Sequence, residues 1–393
     1  LLIPDCWPAR PADHAQPSHR PRHRRGPCPD TLLPCANSPW RPSSSPPPST
    51  PSPAPTRCQR RPADTPTDTA SGESILAAIT RTDRYTLQSV TAYWDDDGTF
   101  TNLVNDTDRY YSSGQGIELG FRFNAPDDLA ARLAPGWEAP RFGLGLSLKQ
   151  HIYTAEDILD PNPPADDHPY GGYLALGLAF QRSDAHRHDH LQLDLGIIGQ
   201  NSGAEALQEF VHNSYPDQED PAGWATQLPN ELTINLTYDR TWRTDKADLG
   251  GLEFDMLPAA GFDAGTVFVR ARAKATVRLG MALPDDFGPA SFLGHKDHTA
   301  RAFGDPDRNW SLYAYTTVGA DAVARNAFID GTLFADSRST NAEALVARLT
   351  TGIVARYKFI EFGWAQTWES KTFESQPNGQ TWGSWVLNCQ WQF

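Results

Sequence analysis

From Gly114 onward the chain repeats one pattern, and that pattern leaves few folds open. In GQGIELGFRF, Ile117, Leu119, Phe121 and Phe123 alternate with Gly116, Glu118, Gly120 and Arg122. RFGLGLSLK sets Phe142, Leu144, Leu146 and Leu148 against Gly143, Gly145, Ser147 and Lys149. GGYLALGLAF, LQLDLGI, LTINLTYD, IEFGW and the terminal WVLNCQWQF repeat the scheme. Period-two alternation over about ten residues is the mark of strands with two unlike faces. A soluble barrel or sandwich would turn the apolar face inward, and a transmembrane barrel would turn it towards lipid. Two features favour lipid. The opposite face is rich in Gly, Ala, Glu, Arg and Gln, which suits a narrow polar lumen. The twelve Trp and twelve Tyr also gather near segment ends, as in aromatic girdles. The expectation is an all-β, antiparallel transmembrane barrel of about twelve strands.

Composition divides the chain in two. Residues 1–70 hold 18 of the 33 prolines, four of the five cysteines, nine Arg, no Lys and five Asp. Such a stretch cannot bury enough apolar surface to offset its ordering entropy. Residues 1–72 are therefore expected to be disordered, and 73–393 to form the barrel, its first strand near Tyr85. The spacing of Cys6, Cys28, Cys35 and Cys58 fits no zinc pattern, and Cys389 sits alone in a strand-like segment. No secretory signal is legible at the start. No run of about 18 apolar residues occurs, which excludes a spanning helix but says nothing of a barrel. Residues 71–393 carry 25 basic against 43 acidic side chains, a balance that argues against nucleic acid as a partner.

Two stretches carry candidate chemistry. Tyr93–Gly114, YWDDDGTFTNLVNDTDRYYSSG, packs five Asp, two Asn and two Ser between strand-like segments. Carboxylates at this density repel unless a cation or proton sits among them. Hard oxygen donors suit calcium better than zinc. The plain alternative is an acidic, solvated loop. The second stretch, GAEALQEFVHNSY, breaks period two and spaces Ala204, Leu207, Val211 and Tyr215 helically. It is too short to stand alone and must pack on the barrel. Gln208 and His212, four residues apart, share a face. A helix-borne His beside an acidic loop is a candidate general base, and a capping or surface His is the alternative. Asp184–His190, DAHRHDH, reads as a solvated turn with a weak transition-metal site as an alternative. There is no GxSxG elbow, and Ser112 and Ser113 have no sequence-local base. A calcium ion that polarises an ester while His212 deprotonates water needs only the carboxylates and one His, as in phospholipase A2 chemistry.

With these residues laid out, the chain from about Tyr85 resembles the lipid A deacylase (LpxR) family of Gram-negative outer membranes. The resemblance rests on DDDGT followed by TDRYYSSG, QHIYTAEDI with DDHPYGGYLAL, LGIIGQNSGAEALQEFVH, LPAAGFDAGTVFVRARAKATVRLG, MALPDDFGP and ARNAFIDGTLF. It implies calcium-dependent hydrolysis of the 3′-acyloxyacyl ester of lipid A, at a site between the barrel wall and a short helix near the outer rim. It places the catalytic His on His212, its helical neighbour on Gln208, the Asn-Asp pair on Asp96 and Asp97, and a Thr or Ser on Ser112. Asn105 and Asp106 are a second reading of that pair. The chain departs from the family pattern in three places. Asp96 stands where Asn is usual, His168 where Arg is common, and Tyr153–His168 offers no Lys. The expected partners are lipid A or lipopolysaccharide and outer-membrane lipid, with the protein acting as a monomer. A non-enzymatic porin-like or structural barrel and a glycerophospholipid-directed phospholipase are the alternatives.

Overall fold

The computed structural model describes residues 84–393 except 99–100, 105–106, 215–219, 292, 301–308 and 392–393. These belong to one compact unit, Ser71–Phe393. The expected disorder of 1–72 and residues Asn105, Asp106, Tyr215 and Phe393 lie outside the described residues.

Twelve strands form the wall: β1 (Tyr85–Asp96), β2 (Tyr110–Phe123), β3 (Arg141–Thr154), β4 (Gly171–Ser183), β5 (Arg187–Ile198), β6 (Glu231–Trp242), β7 (Glu253–Gly265), β8 (Phe268–Met281), β9 (Trp310–Asn326), β10 (Leu345–Tyr357), β11 (Ile360–Glu369) and β12 (Gln380–Gln390). Each pairs antiparallel with its sequence neighbours, and β1 pairs with β12 through Ser89↔Gln390 to Asp96↔Gly383, which closes the ring. A two-residue strand, Ala247–Asp248, only extends the turn before β7. Closure removes every strand edge that would otherwise need a partner. No helix among the described residues is long and apolar enough to cross a membrane, which says nothing of crossing by strands.

The two faces sort as the alternation requires. Ile117, Leu148, Leu176, Leu195, Ile234, Phe362 and Leu387 point outward and are exposed. Such a wall is stable facing hydrocarbon and costly facing water. The inner face is charged and paired. Arg272 bridges Asp239 and Asp263 at 2.8 Å each, and Arg270 reaches Asp263 at 2.6 Å and Asp321 at 3.2 Å. Buried charges persist only when paired in this way.

The lumen is filled from both ends. The rim bearing both ends of the closed sheet is called lower, and the other upper. Below, residues 283–291 and 293–300, part of the β8–β9 connection, fold into the barrel: Lys296 pairs with Glu361 at 2.7 Å and His298 with Glu118 at 2.6 Å. Three inward glycines make room for it, since a Cβ on Gly120, Gly143 or Gly145 would stand 2.2, 2.9 or 3.0 Å from His298. Above, Ala327–Asp330 caps the opening, and Phe328 stacks on Tyr153 with ring centroids 4.1 Å apart.

Asp184–His190 is not the solvated turn expected from sequence. β5 begins at Arg187, so the pleat turns His188 and His190 inward, where both are buried. They stack on His295 of the lower insert, at 5.5 and 3.9 Å between centroids. Only His186 stays in the turn, its side chain largely exposed. Among the described residues no group of three or more His, Cys, Asp or Glu is arranged to hold a metal, here or elsewhere.

Candidate active site

A local distortion of β2 builds the upper rim beside β1. Tyr110 has φ of +61°, a strained value for an aromatic residue. One residue later the β2–β3 register slips, from Tyr111↔Tyr153 to Ser113↔Ile152, so Ser112 is an inserted bulge residue. The sequence pairs YY with SS at this point. Tyr110 packs on Ile329 and Phe373 in the upper cap, and Tyr111 packs on Trp382 in the lumen. Ser112 Oγ lies 2.6 Å from Thr154 Oγ1, which in turn donates to the Asp108 carbonyl at 3.4 Å.

The short helix α2 (Ala204–Ser214) follows a second device in the β5–β6 connection, after α1 (Asp127–Leu133) at the lower rim. Gly199 has φ of +93° and turns the chain into a 3₁₀ turn at Gln200–Ser202. α2 then lies against the outer wall. Gly172 of β4 permits this contact, because a Cβ there would stand 2.1 Å from Ser202 Oγ and 2.3 Å from the Ala204 Cβ. Ala204 packs with Ile152, Ala155, Tyr170 and Trp224. The buried side of α2 is not the apolar stripe its spacing suggests. Ala204, Gln208 and His212 are buried, Leu207 and Val211 are half-buried, and Phe210 is exposed.

The two polar side chains are buried because they meet Asp108, in the β1–β2 connection. His212 Nε2 lies 2.8 Å from Asp108 Oδ2, and Gln208 Nε2 donates to Asp108 Oδ1 at 3.1 Å. Gln208 Oε1 accepts from Trp224 Nε1 at 2.9 Å, which fixes the amide's orientation. A carboxylate held by an amide and gripping one ring nitrogen leaves the imidazole little freedom to turn. Asp96 faces this pair closely enough for both Asp108 and His212 to act on it electrostatically. Asp97 has a different place. Its Oδ2 accepts from Thr107 Oγ1 at 3.0 Å and from the Arg109 backbone at 2.9 Å, so it shapes the loop. Burial, reinforced by Asp108 and Asp96, holds the Asp97 carboxyl well above the usual carboxylate range.

The structure thus brings His212 and Gln208 onto Asp108, with Asp96 and Asp97 within electrostatic reach and Ser112 linked through Thr154. Sequence reasoning counted Asp108 among the acidic residues without giving it a role. The signal was its place in TDRYYSSG, one turn of loop before the bulge. His168, expected to matter as a replacement for a basic residue, is buried instead. It stacks on Tyr153 at 5.6 Å, and burial lowers its pKa to about 4, so it is neutral at pH 7. Arg109, next to Asp108, is engaged by Glu156 at 3.2 Å.

Asp96, Asp97 and Asp108 offer oxygen donors of the hard type that calcium prefers, although among the described residues these side chains are not grouped as a ready-made metal site. A cavity of about 210 Å³ lies elsewhere, inside the lumen, lined by Lys149, His151, Arg270, Arg272 and Arg348 among others. Neither Asp108 nor His212 lines it, because both stand on the outer side of the wall.

Residues 69–393 match the profile of the family described as outer membrane protein LpxR. No curated protein matches the chain. Among solved structures, LpxR from Salmonella typhimurium is similar in fold, with a TM-score of 0.61 and 17% identity over 77% of this chain and 100% of that one. The β domain of the Bordetella autotransporter BrkA follows at a TM-score of 0.37 and 10% identity, over 78% of this chain and 99% of that one.

Proposed function

The chain belongs to the LpxR family of outer membrane proteins, and from that premise we propose that it is an outer-membrane esterase acting on the 3′-acyloxyacyl ester of lipid A. The observation that carries the reading is the Asp108–His212 pair at 2.8 Å, set on the lipid-facing side of the wall beside Asp96. Asp108 orients the His212 imidazole, and that imidazole is assigned to take a proton from water. That water attacks the ester carbonyl, and the proton passes to the departing alkoxide, giving a free fatty acid and an alcohol. Gln208, locked by Trp224, keeps Asp108 in place.

Calcium would be held by Asp96, with Asp97 and Asp108 adding charge, and when bound it supplies electrophilic stabilisation of the oxyanion. Ser112 supports the Asp108 backbone through Thr154 rather than acting as a nucleophile. The closed sheet has no unpaired edge, which agrees with a monomer. The filled lumen speaks against the porin-like alternative.

The test is acyl release from purified lipid A, read by mass spectrometry, with calcium and with chelator. Release of the 3′-linked acyl chains by the wild type in calcium, and its loss in His212→Ala, is the expected result. Unchanged release by His212→Ala would remove the base assignment. Acyl release from glycerophospholipid alone would move the protein to the phospholipase class.

A further inference from the structure

The strand registers define rows of outward side chains that run around the barrel. One row, directly below the level of Asp96 and Ser113, reads Trp364–Trp385–Trp94–Gln115–Gln150–Leu174. The next row down reads Phe362–Leu387–Ala92–Ile117–Leu148–Leu176 and is apolar throughout. Two carboxamides therefore interrupt a lipid-facing wall at the boundary between an aromatic row and a hydrocarbon row, below the candidate site. Polar groups facing hydrocarbon are costly, so their presence needs a reason.

Part of the reason lies within the protein. Gln115 Nε2 donates to Gln150 Oε1 at 2.8 Å, and Gln150 Nε2 donates to the Ser202 carbonyl, just before α2, at 2.6 Å. Ser113 Oγ lies 3.0 Å from Gln115 Oε1. These contacts orient both amides, and each uses one N–H of a group that carries two, and one lone pair of an oxygen that carries two. Both side chains are half-buried, so the remaining capacity is open to a bound lipid.

We infer that Gln115 and Gln150 form a subsite for the amide-linked acyl junction of an N-acylated glycolipid. An amide both donates and accepts, which matches a carboxamide pair, whereas the ester junction of a glycerophospholipid only accepts. The subsite carries no charge, so it reads this junction and not a phosphate. Ile117 and Leu148, immediately below, then take the first methylenes of the chain. The inference rests on the proposed esterase reading and names the feature by which that site tells its substrate class from other lipids.

The test uses the full chain in detergent or nanodiscs. In a His212→Ala background, native mass spectrometry compares occupancy by lipid A with occupancy by phosphatidylethanolamine. Preference for lipid A is expected, and Gln115→Leu, which leaves the Ser202 contact untouched, should reduce that preference about tenfold, the worth of one good hydrogen bond. In the His212 protein, Gln115→Leu should raise KM for lipid A with kcat little changed, lowering kcat/KM for lipid A relative to phosphatidylethanolamine. Gln150→Leu should act in the same direction. Unchanged preference in Gln115→Leu, or proportional loss for both lipids, would overturn the subsite and leave the pair a structural brace for α2. Selective binding without any acyl release by the wild type would instead defeat the esterase reading and spare the subsite.

Discussion

At the scale of single residues the site turns on one carboxylate. His212→Ala should lower acyl release by about 10²- to 10⁴-fold, the usual worth of a positioned general base. Asp108→Asn should also cost activity, because an amide cannot hold Nε2–H as a carboxylate does. If the two act as a unit, the double variant will lose little beyond the worse single one, measured as kcat on lipid A. Asp97 makes a pH prediction. Its folded-state pKa is raised, so its contribution to stability is fully present below the unfolded carboxylate value and is lost as pH rises through the folded value. Calcium-free protein should therefore lose thermal stability as pH rises towards neutrality, and calcium should restore it. Asp97→Asn should flatten that pH slope in a melting series run with chelator. These residues were only partly readable beforehand. His212 and Gln208 stood out by residue type and helical spacing and Asp96 by its acidic cluster and the family motif, but Asp108 is a loop aspartate among others. Its distinction is tertiary, since it meets α2 across 100 positions of chain.

Secondary-structure elements explain both what sequence reveals and what it hides. Alternation located the barrel strands because each has one lipid face and one lumen face, and a one-residue slip would invert every side chain. The helix was readable because it broke that rhythm. Its buried side was not, since Gln208 and His212 are buried by hydrogen bonding to a distant loop rather than by hydrophobicity. The same limit applies to His188 and His190. A polar run between apolar segments reads as solvent-exposed, yet in a barrel the inward side is polar, and an insert folded into the lumen can bury it. Gly172 tests how α2 is seated. Gly172→Val should force Ser202 and Ala204 off the wall and move His212 away from Asp96. Activity should fall by more than about tenfold, as expected when catalytic geometry shifts by an ångström, while the barrel stays folded by heat-modifiability on gels.

The whole molecule is an outer-membrane barrel whose lumen is occupied from both ends. Lys296 and His298 anchor one obstruction and Phe328 the other, each tied to the wall by ion pairs or stacking. Purified protein in planar bilayers should show no steady porin-like conductance, and open-channel currents would contradict this packing of the lumen. The placement of the site on the outside has a kinetic consequence of its own. With the proposed site on this face, substrate is expected to arrive by sideways diffusion within a leaflet rather than from bulk water, so the rate should follow its mole fraction per unit surface. Diluting the glycolipid with inert detergent at constant total amount should slow the reaction, and adding more vesicles of the same composition should leave the rate per enzyme almost unchanged.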